Sequence, residues 1–220
     1  MANAGVFIVL EGLDGSGTTT QTSLLKEWFR REGAKYGACV ATCEPTAGPA
    51  GVVARLALNH RMALDNRTMA LLFAADRTDH VFKADDGRQE PGLVHLLQQG
   101  VHVISDRYLL SSLAYQSLDL PMEWIFRING QVITPDVTAF LDIDPQISGR
   151  RLLEGRMRRD LFEAADIQSR VRAQYEEAMR FLQNEGHCIR RIDANQPEDS
   201  VCQDIIKEIL PFLEKSAPSL

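Results

Sequence analysis

The sequence has 220 residues, of which 45% are hydrophobic and 25% are charged, and its formal net charge is −6. This length suits one domain with a sizeable core, and the acidic balance argues against a general nucleic-acid-binding protein, which usually has a basic excess. No apolar run approaches the about 18 residues of a membrane span, and the four cysteines form no C-x-x-C pair, so we expect a cytoplasmic protein with reduced thiols and no membrane partner.

Short apolar runs alternate with stretches of helical spacing about five times. This alternation predicts an α/β fold, a five-stranded parallel sheet flanked by helices, in a single domain over residues 1–220. The predicted strands are residues 6–10, 38–42, 101–105, 137–141 and 188–192. The predicted helices are residues 19–32, 68–82, 91–99, 146–156, 163–184 and 198–213.

A glycine-rich segment at residues 12–19 lies between the first strand and the first helix. It matches the phosphate-loop pattern G-x-x-x-x-G-K-[ST] at Gly12, Gly17 and Thr19, but Thr18 stands where the pattern has lysine. Backbone N–H groups and the helix dipole would hold a phosphate there, and the Thr19 hydroxyl would bind Mg²⁺. The candidate ATP-binding residues of this segment are Gly12, Asp14, Gly15, Ser16, Gly17, Thr18, Thr19 and Thr20.

The missing lysine leaves two explanations open. Phosphoryl transfer relies on positioning and charge stabilisation, so a loop without its ammonium group needs another cation. Either such a cation replaces the lysine, or the loop binds a nucleotide without transferring phosphate. A plain glycine-rich turn is the third alternative for this segment.

Two later segments carry polar groups at positions suited to a ligand. Phe73 and Arg77 stand four residues apart on a predicted helix, so one face could hold a base and its phosphate. A core phenylalanine with a surface arginine is the plainer alternative. Asp106 and Arg107 follow a predicted strand directly, at the sheet edge where ligands bind in open parallel sheets. A structural Asp–Arg pair is the plainer alternative there.

These segments, with two further motifs, resemble the thymidylate kinase family in the same order along the chain. The resemblance implies a P-loop NTPase fold of the nucleoside monophosphate kinase type with a short lid. It also implies transfer of the γ-phosphate of ATP to dTMP with Mg²⁺, giving dTDP for dTTP synthesis, and a homodimer. The motifs are E-G-x-D/E-G-x-G at residues 11–17, L-F-x-A-x-R-x-x-H at 72–80, D-R-Y-x-x-S-x-x-A-Y-Q at 106–116, P-D-x-T-x-x-L-D-x-D at 135–144 and I-D-A-x-x-P at 192–197.

The resemblance implies roles for the residues that would contact the base and the sugar. Phe73 would stack on the thymine, and Arg77 would hydrogen-bond the edge of the base. Ser112 and Gln116 would help to read the base. Tyr115 would crowd the 2′ position of the sugar and so disfavour a ribonucleotide.

It also implies roles around the phosphates. Arg107 would hold the acceptor phosphate near the ATP γ-phosphate, and Asp106 would orient Arg107 or bind Mg²⁺ through water. Asp14 would meet the 3′-hydroxyl or its neighbouring solvent. Glu44-Pro45 falls where the family has R-E-P, but Cys43 replaces the arginine, so one phosphate contact is in doubt there.

An arginine-rich segment resembles the lid of the family, at about residues 150–163. Arg156 or Arg159 would supply the charge that Thr18 lacks, and the choice between them stays open; Arg151 would lie against adenine. A solvated helix face is the plainer alternative for these arginines.

Three functional alternatives to a thymidylate kinase stay open. The first is a kinase of another deoxynucleotide or deoxynucleoside. The second is a nucleotide-binding protein that has lost catalysis, because Thr18 replaces the lysine. The third is a regulatory phosphate-loop domain that acts by contact with a protein.

Overall fold

The computed structural model describes residues 4–85, 91–152 and 158–216, except for the side chains of 152 and 158–165. The strands are β1 (Phe7–Gly12), β2 (Cys39–Cys43), β3 (His102–Asp106), β4 (Val137–Asp142) and β5 (Ile189–Asp193). The helices are α1 (Thr18–Tyr36), α2 (Pro49–Leu58), α3 (Asn66–Phe82), α4 (Leu93–Gln98), α5 (Leu109–Gln116), α6 (Met122–Ile128), α7 (Pro145–Leu152), α8 (Arg158–Asn184) and α9 (Glu198–Ser216).

The sheet is parallel throughout, and β1 is its central strand. The strand order is β2-β3-β1-β4-β5. All six residues of β1 are buried, which requires cover on both faces of the sheet and explains the continuous apolar run Phe7-Ile8-Val9-Leu10. Helix α1 packs against α9, and α5 packs against α8, so two helix pairs provide much of that cover.

The predicted α/β class and the five parallel strands are confirmed. Each observed strand lies within two residues of its predicted bounds, because short apolar runs between turns are a strong signal for buried strands. No predicted range corresponds to helices α2, α5 and α6; each is at most 10 residues long, too short for a clear amphipathic period. Among the described residues, no helix is long and apolar enough to cross a bilayer.

All strands end at the same edge of the sheet, and this edge gathers the motif residues. The register pairs Leu10 with Asp106 on one side of β1 and Gly12 with Leu141 on the other. The backbone N–H of Arg107 also donates to the Leu10 carbonyl. The loops after β1 and β3 therefore lie side by side at the carboxyl edge, where ligands bind in open α/β sheets.

His102 fastens the opposite end of the sheet. Its Nδ1 accepts a hydrogen bond from the Val6 N–H at 2.9 Å, so Nε2 carries the hydrogen and donates to the Tyr36 carbonyl at 2.6 Å. This neutral tautomer joins the chain before β1 to the end of α1. Burial lowers the pKa of His102 below its ordinary 6.5, although the Tyr36 carbonyl opposes that shift. Protonation at Nδ1 would break the bond to Val6.

We predict that acid weakens the fold partly through His102. Below its ordinary pKa of 6.5, the unfolded chain takes up the proton more readily than the folded protein, so stability is lost as pH falls. Between about pH 7.5 and about pH 5.5 the raised pKa of Glu11 acts in the opposite direction, so the effect of His102 is read from a comparison of two proteins. On acidification, the free energy of unfolding in urea should change less favourably in the wild type than in His102→Gln. Burial also lowers the pKa of His187, so His187→Gln measures how much of the pH dependence of stability comes from that histidine. If His102→Gln left the pH dependence of the unfolding free energy unchanged, the assignment to His102 would be refuted.

Candidate functional site

The loop between β1 and α1, here called the phosphate loop (residues 12–19), has the backbone of an anion cradle. Gly15 and Gly17 have φ values of 80° and 97°, which glycine adopts without strain. A Cβ on Gly12 would lie 2.5 Å from Ser16 Oγ and 2.9 Å from the Leu141 carbonyl oxygen, so only glycine fits there. Helix α1 begins at Thr18 and directs its free N–H groups into the loop.

Thr19 and Asp106 meet at the rim of the phosphate loop. Thr19 Oγ1 donates to Asp106 Oδ2 at 2.6 Å. Asp106 Oδ1 is buried and has no hydrogen-bond partner among the described residues. A hydroxyl beside a carboxylate with a free oxygen is a donor set that suits Mg²⁺. The described residues contain no group of three His, Cys, Asp or Glu side chains that could hold a metal, so phosphate oxygens and water would complete the coordination.

Arg107 links the phosphate loop to β3. Its φ of 73° lies in the left-handed region, which non-glycine residues seldom adopt. Nη2 donates to Asp14 Oδ1 at 2.6 Å, and Nη1 donates to the Gly12 carbonyl at 3.1 Å. Burial alone would lower the pKa of Arg107, but neighbouring tyrosines and carboxylates raise it overall. The guanidinium therefore stays charged where a phosphate would come close to the loop.

A buried carboxylate, Glu11, holds Arg107 in place through the Ser111 hydroxyl. Glu11 accepts hydrogen bonds from the backbone N–H groups of Tyr108 and Ser111, at 2.9 and 3.0 Å, and from the Ser111 hydroxyl. Ser111 Oγ and the Tyr175 hydroxyl each accept a bond from Arg107 Nη1, at 3.0 and 3.2 Å. Burial raises the pKa of Glu11 to about 7, against the opposing effects of Ser111 and the Arg107 charge. Sequence reasoning assigned no role to Glu11 or Tyr175; a glutamate inside a buried strand was the available signal for Glu11.

One cavity of about 360 Å³, called the main cavity, opens beside Arg107. Its size is typical of small-molecule sites. Every residue that the sequence suggested for the acceptor lines it, together with Leu58, Tyr108 and Ser111, which the sequence did not suggest. The suggested residues are Asp14, Glu44, Pro45, Phe73, Arg77, Arg107, Ser112, Tyr115 and Gln116.

Gln116 and Tyr115 present polar atoms to the main cavity. Gln116 Oε1 is buried and has no hydrogen-bond partner among the described residues, so a ligand could satisfy it. The Tyr115 hydroxyl accepts a bond from the Asp14 N–H at 3.2 Å, and the Tyr115 ring lies 5.5 Å from the Arg107 guanidinium carbon. Tyr115 therefore joins the wall of the cavity to the phosphate loop.

Arg77 forms the floor of the main cavity and is itself only 1% exposed. It donates from Nε to Glu44 at 2.8 Å, from Nη1 to Asn129, and from Nη2 to the Tyr108 carbonyl and Ser112 Oγ. These bonds use four of the five N–H groups of a guanidinium, which leaves one on Nη1 for a ligand. The alternative of a surface arginine beside a core phenylalanine is wrong, because Arg77 is buried and Phe73 is half-buried.

A smaller side cavity of about 290 Å³ adjoins the main one and contains an arginine that sequence reasoning missed. Arg55, on α2, lines it with Cys43, Asp106 and Arg107, and Arg55 Nη2 donates to the Pro45 carbonyl. Cys43 is exposed and stands where the R-E-P motif has arginine, and its smaller side chain leaves room in the side cavity. The sequence signal for α2, the helix that carries Arg55, is Pro49, because proline is common at the first turn of a helix.

Arg151, at the end of α7, contacts the phosphate loop from the other side. Its Nη1 donates to the Gly15 carbonyl at 3.1 Å. Ser148, one turn earlier, donates to the Asp14 carbonyl at 2.7 Å. Arg156 lies outside the described residues, and so does the side chain of Arg159. Thr20 is exposed and lies on the first turn of α1.

Comparisons with known proteins agree on one family. The family model described as thymidylate kinase matches residues 10–205. A "Probable thymidylate kinase" of Methanococcus maripaludis is 36% identical over 219 residues, covering 94% of this chain and 98% of the relative. Similar proteins with the same description occur in Methanobrevibacter smithii, at 35% over 211 residues (94% and 96%), and Thermococcus gammatolerans, at 30% over 214 residues (92% and 94%).

We predict that Arg77→Met destabilises the protein by about 3–5 kcal/mol, because it removes the guanidinium that pairs with the buried Glu44 carboxylate and leaves only His80 beside it. Urea unfolding monitored by circular dichroism measures this change. The double variant Arg77→Met/Glu44→Gln removes both charges and should be more stable than the sum of the two single effects implies. Additive losses would show that the two side chains are not coupled.

Proposed function

The chain belongs to the thymidylate kinase family, and from that premise we propose that it transfers the γ-phosphate of ATP to dTMP, giving dTDP. The observation that carries this proposal is the main cavity, whose lining combines Phe73 and Gln116 with Arg107 and Asp14. An aromatic ring and an amide suit a pyrimidine base, and a charged guanidinium beside the phosphate loop suits its 5′-phosphate.

The thymine is proposed to stack on Phe73 and to bond with Gln116 and Arg77. The one remaining N–H of Arg77 can reach only one acceptor atom, and Gln116 supplies an unpaired oxygen that an imide N–H would satisfy. Ser112 acts mainly by holding Arg77, since its hydroxyl already accepts from that guanidinium. Tyr115 would lie against the sugar, because its ring is fixed between Asp14 and Arg107.

The acceptor phosphate is proposed to replace Asp14 as the main partner of Arg107. The two side chains now form an ion pair at 2.6 Å, and Asp14 is partly exposed, so an incoming phosphate can compete for the guanidinium. Arg55 lines the side cavity that Arg107 also lines, and it would supply a second charge where Cys43 interrupts the R-E-P motif. No general base is required, since the acceptor is an ionised phosphate that needs only orientation and charge neutralisation.

Mg²⁺ is proposed to bind with ATP at Thr19 and Asp106. The Thr19 hydroxyl would bind the ion directly, and the unpaired Asp106 Oδ1 would hold one of its waters. Held by these two residues, the ion would supply positive charge that offsets the negative charge developing during transfer. The protein groups would position the two nucleotides, and Arg107 and Arg55 would add positive charge on the acceptor side.

A homodimer through α2 and α3 is also proposed. Val52 and Leu56 stand four residues apart on α2, so they share a face, and both are more than 40% exposed. Leu71, on the neighbouring α3, is 51% exposed. Association of two copies through these helices would remove this apolar surface from water.

The acceptor is tested with ATP, Mg²⁺ and a panel of dTMP, dUMP, dCMP and thymidine. We expect the highest kcat/KM with dTMP and no turnover without Mg²⁺. Phe73→Ala should lower kcat/KM for dTMP about 10-fold to 100-fold, since stacking on a base contributes about 1–3 kcal/mol. Phe82→Ala is the matched control, because Phe82 is on the same helix but 48% exposed and lines neither cavity. A higher kcat/KM with thymidine than with dTMP would refute the proposal that the acceptor is a nucleoside monophosphate.

The dimer is tested by multi-angle light scattering on the purified protein. The double variant Val52→Glu/Leu56→Glu should shift the mass from dimer to monomer, because two buried charges would have no partners at the interface. Ile167→Glu places one such charge on a comparably exposed residue of α8 and should leave the mass unchanged. A wild-type protein that runs as a monomer at micromolar concentration would contradict the proposed dimer.

A further inference from the structure

Glu11 is a fully buried carboxylate to which the proposed transfer of phosphate assigns no part. It lies near the end of β1, directly before the phosphate loop, and it is 0% exposed. A buried carboxylate loses its hydration, so it needs hydrogen-bond donors or a compensating charge within the protein. The two oxygens of Glu11 have different partners, and each oxygen therefore holds a different part of the site.

The first oxygen, Oε1, holds the start of α5. It accepts hydrogen bonds from the backbone N–H groups of Tyr108 at 2.9 Å and of Ser111 at 3.0 Å. The first N–H groups of a helix have no partner within the helix, and the Tyr108 side chain does not cap this one. Glu11 therefore takes the place of an N-cap residue from another element, and a single oxygen is sufficient for that contact.

The second oxygen, Oε2, faces the two hydroxyls that hold Arg107. It accepts a hydrogen bond from the Ser111 hydroxyl and lies 3.4 Å from the Tyr175 hydroxyl. Both hydroxyl oxygens accept hydrogen bonds from Arg107 Nη1, at 3.0 and 3.2 Å. Because the Ser111 hydrogen is directed to Oε2, the Ser111 oxygen keeps its lone pairs for the guanidinium. The negative charge of Glu11 thus orders the groups that bind Nη1.

The two carboxylates near Arg107 differ in whether a ligand can displace them. Asp14 pairs with Nη2, and its side chain is 47% exposed, so an acceptor phosphate can take its place. Glu11 is fully buried and reaches Nη1 only through Ser111 and Tyr175, so it stays when the phosphate binds. We propose that Glu11 is a positioning residue for phosphoryl transfer: as an anion it fixes Arg107 Nη1 and leaves Nη2 directed at the acceptor phosphate. This inference rests on the proposed kinase reaction.

Glu11→Gln separates the two contacts of the side chain. The glutamine oxygen can still accept from Tyr108 and Ser111 and keep the cap of α5, but its NH₂ group would present a donor to the Ser111 hydroxyl. We expect kcat/KM for dTMP to fall about 10-fold or more, with KM for ATP and the inhibition constant of thymidine, which has no phosphate, changed by less than about 2-fold. Asp136→Asn is the control, because Asp136 accepts from the Phe7 N–H at the other end of β1 and should leave all three constants unchanged.

Ser111→Ala tests the same connection without changing Glu11. It removes the hydroxyl that joins Oε2 to Arg107, so it should lower kcat/KM for dTMP by a similar factor, also where Glu11→Gln fails to fold. Because the two residues act through one connection, the double variant should lose little more than either single variant. Additive losses, a Ser111→Ala variant with unchanged kcat/KM, or equal losses for dTMP and thymidine would overturn the proposal.

The pH dependence of kcat/KM for dTMP gives a readout that a purely structural glutamate would not change. Burial raises the pKa of Glu11 to about 7, so the anion is lost as pH falls through neutrality. Burial also raises the pKa values of Tyr175 and Tyr115, so these two neighbours stay protonated, and Arg107 stays charged. Glu11 is therefore the neighbour of Arg107 Nη1 whose charge changes near pH 7.

The quantity to compare is the ratio of kcat/KM in the wild type to kcat/KM in Glu11→Gln at each pH. The dTMP phosphate takes up a proton near about pH 6, and Asp14 also faces Arg107, but titrations common to both proteins cancel in the ratio. The ratio should fall severalfold from about pH 8.5 to about pH 6, because kcat/KM reports groups of the enzyme before dTMP binds. A constant ratio would contradict the proposal, whereas an inactive wild-type chain would instead refute the proposed reaction.

Discussion

The contact between Arg107 and the phosphate loop is the constraint on which the site depends. Phosphoryl transfer brings two anionic groups together, so a fixed cation must stand between them. Arg107 reaches both sides because it follows β3, the neighbour of β1, and because its backbone adopts a left-handed φ of 73°. Glu11 and Tyr175 hold it there from the buried interior. The central strand thus positions the loop and also, through Glu11, the arginine beside it.

Buried charge is concentrated where the main cavity needs fixed polar groups. Arg77 and Glu44 are both almost completely buried, and each is bonded to further partners, Asn129 and His80 among them. Such a pair contributes little net stability, because desolvation costs offset most of the attraction. The effect of the pair is geometric: four hydrogen bonds keep the Arg77 guanidinium from rotating, so its one remaining N–H has a fixed direction. A site of this kind rejects a wrong base mainly because that base would leave buried polar groups of the protein without a hydrogen-bond partner, and less because of the size of the base.

An acidic protein can still bind two nucleotides, because the local arrangement of charge differs from the net charge of −6. Arg55, Arg107 and Arg151 come from three different segments: Arg107 and Arg151 donate hydrogen bonds to the phosphate loop, and Arg55 lines the side cavity together with Arg107. Guanidinium groups suit this task, since they stay charged and bind phosphate through two oxygens.

The sequence by itself determined the parallel sheet and the phosphate loop, because strand periodicity and glycine spacing are local properties, and the resemblance of its motifs to the thymidylate kinase family supplied the candidate residues of the main cavity. Tertiary structure alone decided which groups meet. The bonds of Arg77 to Asn129, of Glu11 to Tyr175 and of Arg151 to Gly15 join residues 52, 164 and 136 positions apart. Local pattern carries no information about such pairs, since they form only when the sheet brings distant segments to one edge and excludes water between them.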